Sequence, residues 1–298
     1  MEPLITAIIT TYNRGYLLTR AIQSVLKQTY SKFELIIVDN GSSDHTQNII
    51  EQFTDKRIKY IRLNSNLGGP AARNIGIKNA QGFLIAFLDD DDEWLPEKIA
   101  KQVKLFNTSA LNIGIVYTGS IYIKSSNNHV NKTCNINLSG NLYKQLLKGS
   151  IIGSVSRVMV KKECFEKTGL FDEELKSCQD WDMWLRISEH YEFAAIPEIL
   201  VKIFEHDIQI SKNLPLLIAG RERMINKHYS KFQEVPELLI QHLKRLGKLR
   251  CFAGQWKEAW QWFHRAIKLD SLQTIKIFIW LIFEFPLIKW VKYRNYSK

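Results

Sequence analysis

Residues 4–88 alternate between apolar runs of strand length and segments with apolar residues at helical spacing, and this alternation most narrows what the chain can fold into. The strand-like runs are 4–9, 33–38, 58–63 and 83–88. Between them lie 16–28, where Leu17, Leu18, Ala21, Ile22, Val25 and Leu26 share a helical face, then 46–53 and 71–79. Strand–helix alternation at this period predicts an α/β domain with a mostly parallel, Rossmann-like sheet covered by helices on both faces. In such sheets ligands bind beyond the carboxyl ends of the strands. The polar clusters 10–14, 39–44, 64–69 and 89–92 all fall at those ends. The pattern therefore gathers them around one crevice.

The rest of the chain is organised differently. Residues 107–150, rich in Asn, Ser and Lys around 113–123, predict strands with long loops on the acceptor side of that crevice. A strand at 155–160, a helix, and a helical stretch at 181–190 follow. A composition shift at 212–215 marks a domain boundary, giving an α/β domain over 1–211 and a helical region over 212–298. Within that region, 237–270 reads as a helix pair whose Ala253-Gly254-Gln255-Trp256 stretch, with Ala259, Phe263 and Ala266, resembles one tetratricopeptide repeat. The tail, 275–298, is apolar as far as 291 but broken by Lys276, Glu284, Pro286 and Lys289, too interrupted to span a membrane.

Charge separates the two regions. Residues 1–211 hold 24 Lys and Arg against 24 Asp and Glu, whereas 212–298 hold 17 against six, the whole net charge of +11. A neutral body with a basic end argues for a separate docking element and against nucleic acid as a partner. Trp280 and Trp290 with Lys292, Arg294 and Lys298 suit an element lying at an anionic membrane surface. A helix packed on the repeat-like pair, or a protein partner, fits the same residues. Four scattered cysteines without a CxxC pair give neither a disulfide framework nor a zinc site. No basic segment leads into an apolar run at the start, so no secretory leader is expected. A cytoplasmic location follows, with peripheral placement on the inner face of the plasma membrane.

The chemistry begins at Asp89-Asp90-Asp91-Asp92. Four consecutive carboxylates at a strand end repel one another, and a hard divalent cation, Mn2+ or Mg2+, relieves that repulsion through oxygen ligands. Such a cation also neutralises a diphosphate leaving group. The competing reading is an acidic turn ahead of the helix that starts near Pro96. Gly68-Gly69 belongs to neither a GxGxxG nor a GxxxxGK[ST] pattern, so dinucleotide and P-loop readings lack their phosphate cradles.

Phe87-Leu88-Asp89-Asp90-Asp91-Asp92-Glu93-Trp94 resembles the Asp-x-Asp region of glycosyltransferase family 2, inverting enzymes with a GT-A fold. Ile8-Ile9-Thr10-Thr11-Tyr12-Asn13-Arg14 is similar to that family's first strand and uridine-binding turn. Ile36-Ile37-Val38-Asp39-Asn40-Gly41-Ser42-Ser43-Asp44 and Asn66-Leu67-Gly68-Gly69-Pro70-Ala71-Ala72-Arg73-Asn74 resemble its next two blocks. The resemblance covers about residues 4–211 and implies a UDP-sugar donor. It places Thr10, Thr11, Tyr12, Arg14, Asp39, Asn40, Ser42, Asp44, Asn66, Gly68, Arg73, Asp89 and Asp90 at the nucleotide-sugar, with Thr11 and Asp39 at the uracil or ribose. Asp89 would touch the ribose or the metal, and Asp91 would be the main metal ligand. The bland alternatives are a capped turn for 39–44 and a surface helix residue for Arg73.

A second element, Ser177-Cys178-Gln179-Asp180-Trp181-Asp182-Met183-Trp184, follows a stretch similar to the family's Gly-x-Phe-Asp-Glu segment. In the family an acidic-Asp pair precedes a Trp-rich helix and its Asp is the general base. Here Gln179 replaces the first acid, so the resemblance gives the role to Asp180, with Asp182 a weaker alternative and helix N-capping the competing reading. His206 lies where the family often shows a metal-completing His, although Ile203 and Phe204 replace the usual Tyr-Arg before it. The expected activity is metal-assisted, inverting transfer of a hexose from a nucleotide-sugar to a hydroxyl of a glycan or lipid-linked saccharide, in polysaccharide biosynthesis. A nucleotidyltransferase of similar architecture and a non-catalytic scaffold are the alternatives. The first would need a basic Gly-rich loop that 10–14 does not supply.

Overall fold

A computed structural model describes residues 2–109, 112–127, 129–135, 137–206 and 213–286. The chain divides into two compact units, residues 1–209 and 210–298. The first contains, in order, β1 (Ile5–Thr11), α1 (Gly15–Leu26), β2 (Phe33–Asp39), α2 (Thr46–Glu51), β3 (Ile58–Arg62), α3 (Gly69–Asn79) and β4 (Leu84–Asp89). It continues through β5 (Glu93–Trp94), α4 (Lys98–Thr108), β6 (Ile113–Lys124), β7 (His129–Cys134) and α5 (Tyr143–Lys148). A 3-10 turn (Val155–Arg157), β8 (Val158–Lys161), α6 (Lys162–Thr168), α7 (Gln179–Ser188) and β9 (Glu192–Glu205) complete it.

One sheet runs β3-β2-β1-β4-β8-β6-β9-β5, with β7 paired to β6. β1 to β4 are parallel, as the alternation requires, and β8 enters antiparallel beside β4. The mostly parallel sheet and its helices form the α/β fold that the sequence predicts. β1, β2 and β4 are buried along almost their whole length, because helices cover both faces and no face is left for polar alternation. The core under α1 is built from Ile5, Ile9, Leu18, Ile22, Val25, Leu35 and Ile37. On α3, a Cβ added to Gly76 would come within 2.6 Å of Ile8 Cγ2, so glycine lets this helix lie directly on β1.

Two local expectations change. The strand expected over 155–160 begins only at Val158, because Ser154 Oγ accepts the Ser156 N–H and turns the chain first. The helix expected at 181–190 starts two residues earlier, at Gln179.

The second unit contains α8 (Leu214–Lys227), α9 (Tyr229–Gln233), α10 (Pro236–Phe252), α11 (Trp256–Leu269), α12 (Gln273–Ile279) and a π-helical turn (Trp280–Glu284). α10 and α11 form the expected helix pair. Gly247 permits their close approach, since a Cβ there would meet the Phe263 ring at 2.4 Å. Trp280, read either at a membrane surface or packed on the helix pair, is buried with Cys251, Phe263, Ile277 and Phe285, as the packed alternative has it. The remaining tail residues of that expectation, Trp290, Lys292, Arg294 and Lys298, lie outside the described residues.

Candidate active site

The parallel ladder brings the strand-end residues level. Thr11 pairs with Asp39 across β1 and β2, and Thr10 with Asp89 across β1 and β4. Tyr12 follows with its ring substantially exposed, while Thr11 is buried and its hydroxyl bears on the Asp90 carboxyl. The turn after β2 is fixed from inside. Asp39 is fully buried; Oδ1 accepts the Ser42 N–H and Oδ2 the Tyr60 hydroxyl, both at 2.8 Å. Ser42 Oγ in turn accepts the Asn13 N–H at 2.9 Å. Asn40 donates to Asn66 Oδ1 and accepts the Leu67 N–H, and Asn66 Oδ1 also takes the Gly68 N–H. These bonds tie the second strand-end loop to the third. Gly41 stands at φ +79°, and a Cβ there would lie 2.7 Å from the Ser65 backbone, so only glycine fits.

Asp44 is used elsewhere. Its carboxylate accepts the N–H groups of Gly15 and Thr46 and the Thr46 hydroxyl, the first-turn donors of α1 and α2. Burial opposes ionisation, yet these bonds hold the carboxyl below its ordinary range. Both oxygens thus serve two helix starts, the capped turn weighed for 39–44.

The four aspartates after β4 separate into different environments. Asp89 Oδ1 accepts from Arg73 Nη2 at 2.7 Å, and Oδ2 from the Ser154 hydroxyl at 3.3 Å. Asp90 and Asp91 share Arg14 Nη1 at 3.1 and 3.3 Å. Asp92 is buried and structural: Ser156 Oγ donates to it at 2.6 Å and the Phe204 N–H at 3.2 Å, which fixes the run to the turn before β8 and to β9. Arg20 donates to the Asp91 carbonyl and lies 3.5 Å from the Phe204 ring centroid. Arg20, Ser154 and Ser156 escaped the sequence reading, because they stand 62–71 residues from the acids they contact and carry no local motif.

Three arginines do not neutralise this pocket. Burial, and then repulsion from Asp89 and Asp90, pushes the Asp91 carboxyl up to about 7. Burial also raises Asp90, against the opposing charge of Arg14. His206 Nε2 lies 3.9 Å from Asp91 Oδ2 and 3.3 Å from the Ser125 hydroxyl. A desolvated carboxylate beside an imidazole is a donor pair suited to Mn2+ or Mg2+. Among the described residues no three His, Cys, Asp or Glu side chains gather as a complete metal cluster. Asp89, expected as a further ligand, is turned to Arg73 and Ser154 instead.

Asp180 reaches the same region from α7. Cys178 precedes the helix in the left-handed conformation, φ +63°, so Asp180 stands in the first helical turn and not at the cap. The helix start is located from two sides. Asn74, next to Arg73 on α3, exchanges hydrogen bonds with the Phe171 backbone and donates to Glu173, all at 2.9 Å. Arg186 donates to the carbonyls of Thr168, Gly169 and Leu170. Asp182, weighed as a second base, is fully buried and paired to Arg186 at 2.8 Å, so it holds this clamp together. Asp180 keeps a window to solvent yet is deep enough that burial pushes its carboxyl up to about 6. Arg73 opposes that rise and Asp89 adds to it, which puts Asp180 within electrostatic reach of both. Arg73 is itself buried, and its Nη1 has no hydrogen-bond partner. It is a donor without an acceptor between the strand ends and Asp180.

Known proteins resemble this chain in sequence and in fold. The family model described as Glycosyl transferase family 2 matches residues 6–168. The putative colanic acid biosynthesis glycosyl transferase WcaA of Escherichia coli is 34% identical over 248 residues, 79% of this chain and 85% of that protein. WfgD of Escherichia coli, a UDP-Glc:alpha-D-GlcNAc-diphosphoundecaprenol beta-1,3-glucosyltransferase, is 33% identical over 195 residues, 65% of this chain and 73% of its own. An uncharacterized glycosyltransferase of Rickettsia typhi is 34% identical over 221 residues, and this chain covers 66% of that relative, just under two thirds. S. aureus TarS 1–349, solved with UDP-GlcNAc, superposes with a TM-score of 0.62 at 17% identity, covering 82% of this chain and 81% of TarS 1–349. On the sequence matches and the shared fold, the chain belongs to glycosyltransferase family 2.

Proposed function

We propose that this glycosyltransferase moves a hexose from a UDP-linked donor to a hydroxyl of a lipid-linked saccharide, by one displacement that inverts the anomeric centre. The observation that carries the reading is Asp180: an acid at about 6, in the first turn of a helix, facing Arg73 and Asp89 across the crevice. At neutral pH this carboxylate is ionised and still basic enough to take a proton. As the acceptor oxygen bonds to the anomeric carbon, its proton passes to Asp180 and the bond from that carbon to the diphosphate oxygen breaks. The α7 N-terminus favours the ionised form that the step needs.

The strand-end loops hold the donor. Tyr12, Thr10 and Thr11 border the nucleotide, with Asn40, Asn66 and Gly68 shaping the loop beside it. The unpaired Arg73 Nη1 is positioned to donate to a diphosphate or ribose oxygen. Asp91 and His206 would hold a divalent cation, which when bound supplies Lewis-acid neutralisation of the diphosphate. The UDP preference and the lipid-linked acceptor are supported by the names of TarS and WfgD and by the family's chemistry.

The test is transfer from radiolabelled UDP-sugars to a polyprenyl-diphosphate-linked sugar, with Mn2+ and with chelator. Product that forms from a UDP-sugar and is lost on chelation supports the reading; chelator-resistant transfer removes the metal from it. Transfer from GDP-sugars alone removes the UDP assignment.

A further inference from the structure

The second unit carries an apolar helix face that its own core does not use. α12 and the turn after it bury one stripe, Ile277, Trp280 and Phe285. The opposite stripe, Leu272, Ile275, Ile279, Ile282 and Phe283, is exposed. Phe278 extends it toward α11, where Trp260 meets it edge-on at 6.5 Å between ring centroids. A helix that is apolar on all sides needs cover on all sides, and a contiguous exposed patch of this kind marks an interaction site.

Charge states what covers it. On the same helices Lys257, Lys268 and Lys276 are exposed, with Glu258 and Glu284 exposed among them. Burial first, and then the charges of Lys248 and Lys276, lower the Lys244 ammonium against the opposing Asp270, which puts the three lysines near one another. Lys248 also sits 4.5 Å from the Trp280 ring centroid. Residues 210–298 hold 17 basic against six acidic side chains. An apolar centre with exposed indole and phenyl rings and a lysine rim matches the layers of a bilayer surface, acyl chains below and anionic headgroups above. No helix among the described residues is long and apolar enough to cross a membrane.

We infer that the exposed face of 272–283, with Trp260 and its rim of lysines, docks the second unit on an anionic lipid surface. Docking of this kind would hold the enzyme at the plane where a lipid-linked acceptor resides. The inference goes beyond the transfer reading and is tested without donor or acceptor, so either can fail alone.

The full chain is sedimented with phosphatidylcholine vesicles, with and without phosphatidylglycerol, at low and high salt. Binding that requires phosphatidylglycerol and weakens with salt is expected. The double substitution Ile282→Glu and Phe283→Glu should lower the partition at least about tenfold, and Lys276→Glu roughly fivefold or more, on the scale of one surface lysine. Should the double variant unfold, wild-type Trp fluorescence quenched by brominated phosphatidylglycerol, and quenched less in Trp260→Phe, carries the same test. Equal binding to neutral vesicles, or none to either, overturns the inference. A dimer in light scattering that the double variant converts to monomer, with no vesicle binding, assigns the face to a second copy and overturns it as well.

Discussion

The carboxylates at the end of β4 and the carboxylate at the start of α7 meet around one crevice but are built in opposite ways. Asp89, Asp90 and Asp91 each have an arginine within 3.3 Å, and Asp92 has two serine hydroxyls and a backbone N–H. Among the described residues Asp180 has no hydrogen bond from another side chain; its own backbone N–H bonds it, and Arg73 and Asp89 act on it only at longer range. A carboxylate paired to side chains is held and can hold a ligand, whereas one without a side-chain partner keeps lone pairs for a proton. On the proposed reading this difference divides the labour: the strand ends bind, and the helix start reacts.

The sharpest way to break that division is Asp180→Asn. It removes the base with little change of volume and should lower kcat by about 10³-fold, within the usual span for a general base. Retained turnover in a steady-state assay would assign the proton to another group. Asp91→Asn is next. It should cost about 10²-fold in kcat/KM and abolish the response of the residual rate to added Mn2+. An undiminished Mn2+ response would move the cation away from Asp91.

The third prediction concerns Asp182, two residues from the base yet assigned to the scaffold. Asp182→Ala leaves the half-buried Arg186 with its carbonyl acceptors but without its carboxylate and should destabilise the fold by about 2–3 kcal/mol, read by denaturant unfolding. A loss of activity at unchanged stability would contradict the assignment.

The smallest effect is in pH. The Asp91 and Asp180 carboxyls are raised above their unfolded values, so their protonated forms favour the fold. That contribution is fully present below about pH 4 and is lost as pH rises through about 6 to 7. Without ligands, Asp91→Asn should therefore match the wild type at pH 4. At pH 8 it should exceed it by roughly 1 kcal/mol, about 2–4 °C in Tm. A wild type that gains stability between pH 5 and 8 relative to the variant would reverse the sign and refute the burial argument.

What the sequence made legible follows from the range of its signals. The alternation of apolar runs fixes β1 to β4 in register, and register alone brings Thr10, Thr11, Asp39 and Asp89 to one edge. Asp180 was legible through the resemblance of 177–184 to a family segment, not through the helix start, which the apolar pattern put two residues late. Arg20, Ser154 and Ser156 were not, since each acts on the acidic run through the tertiary fold. Asp44 was legible as a turn and helix cap, but Asp92 was legible as an acid and not as scaffold, because the donors that occupy it are a backbone N–H and hydroxyls without signature. Trp280 shows the same limit from the apolar side: the tail's composition does not say which stripe is buried.

The division between holding and reacting is tested most directly by measuring UDP affinity calorimetrically, with Mn2+ present, for Asp180→Asn and Asp91→Asn side by side. The account predicts that Asp180→Asn binds UDP as the wild type does while its transfer is lost, and that Asp91→Asn loses the Mn2+-dependent part of the affinity. Parallel loss of UDP binding in both variants would contradict it, because Asp180 would then belong to the binding set.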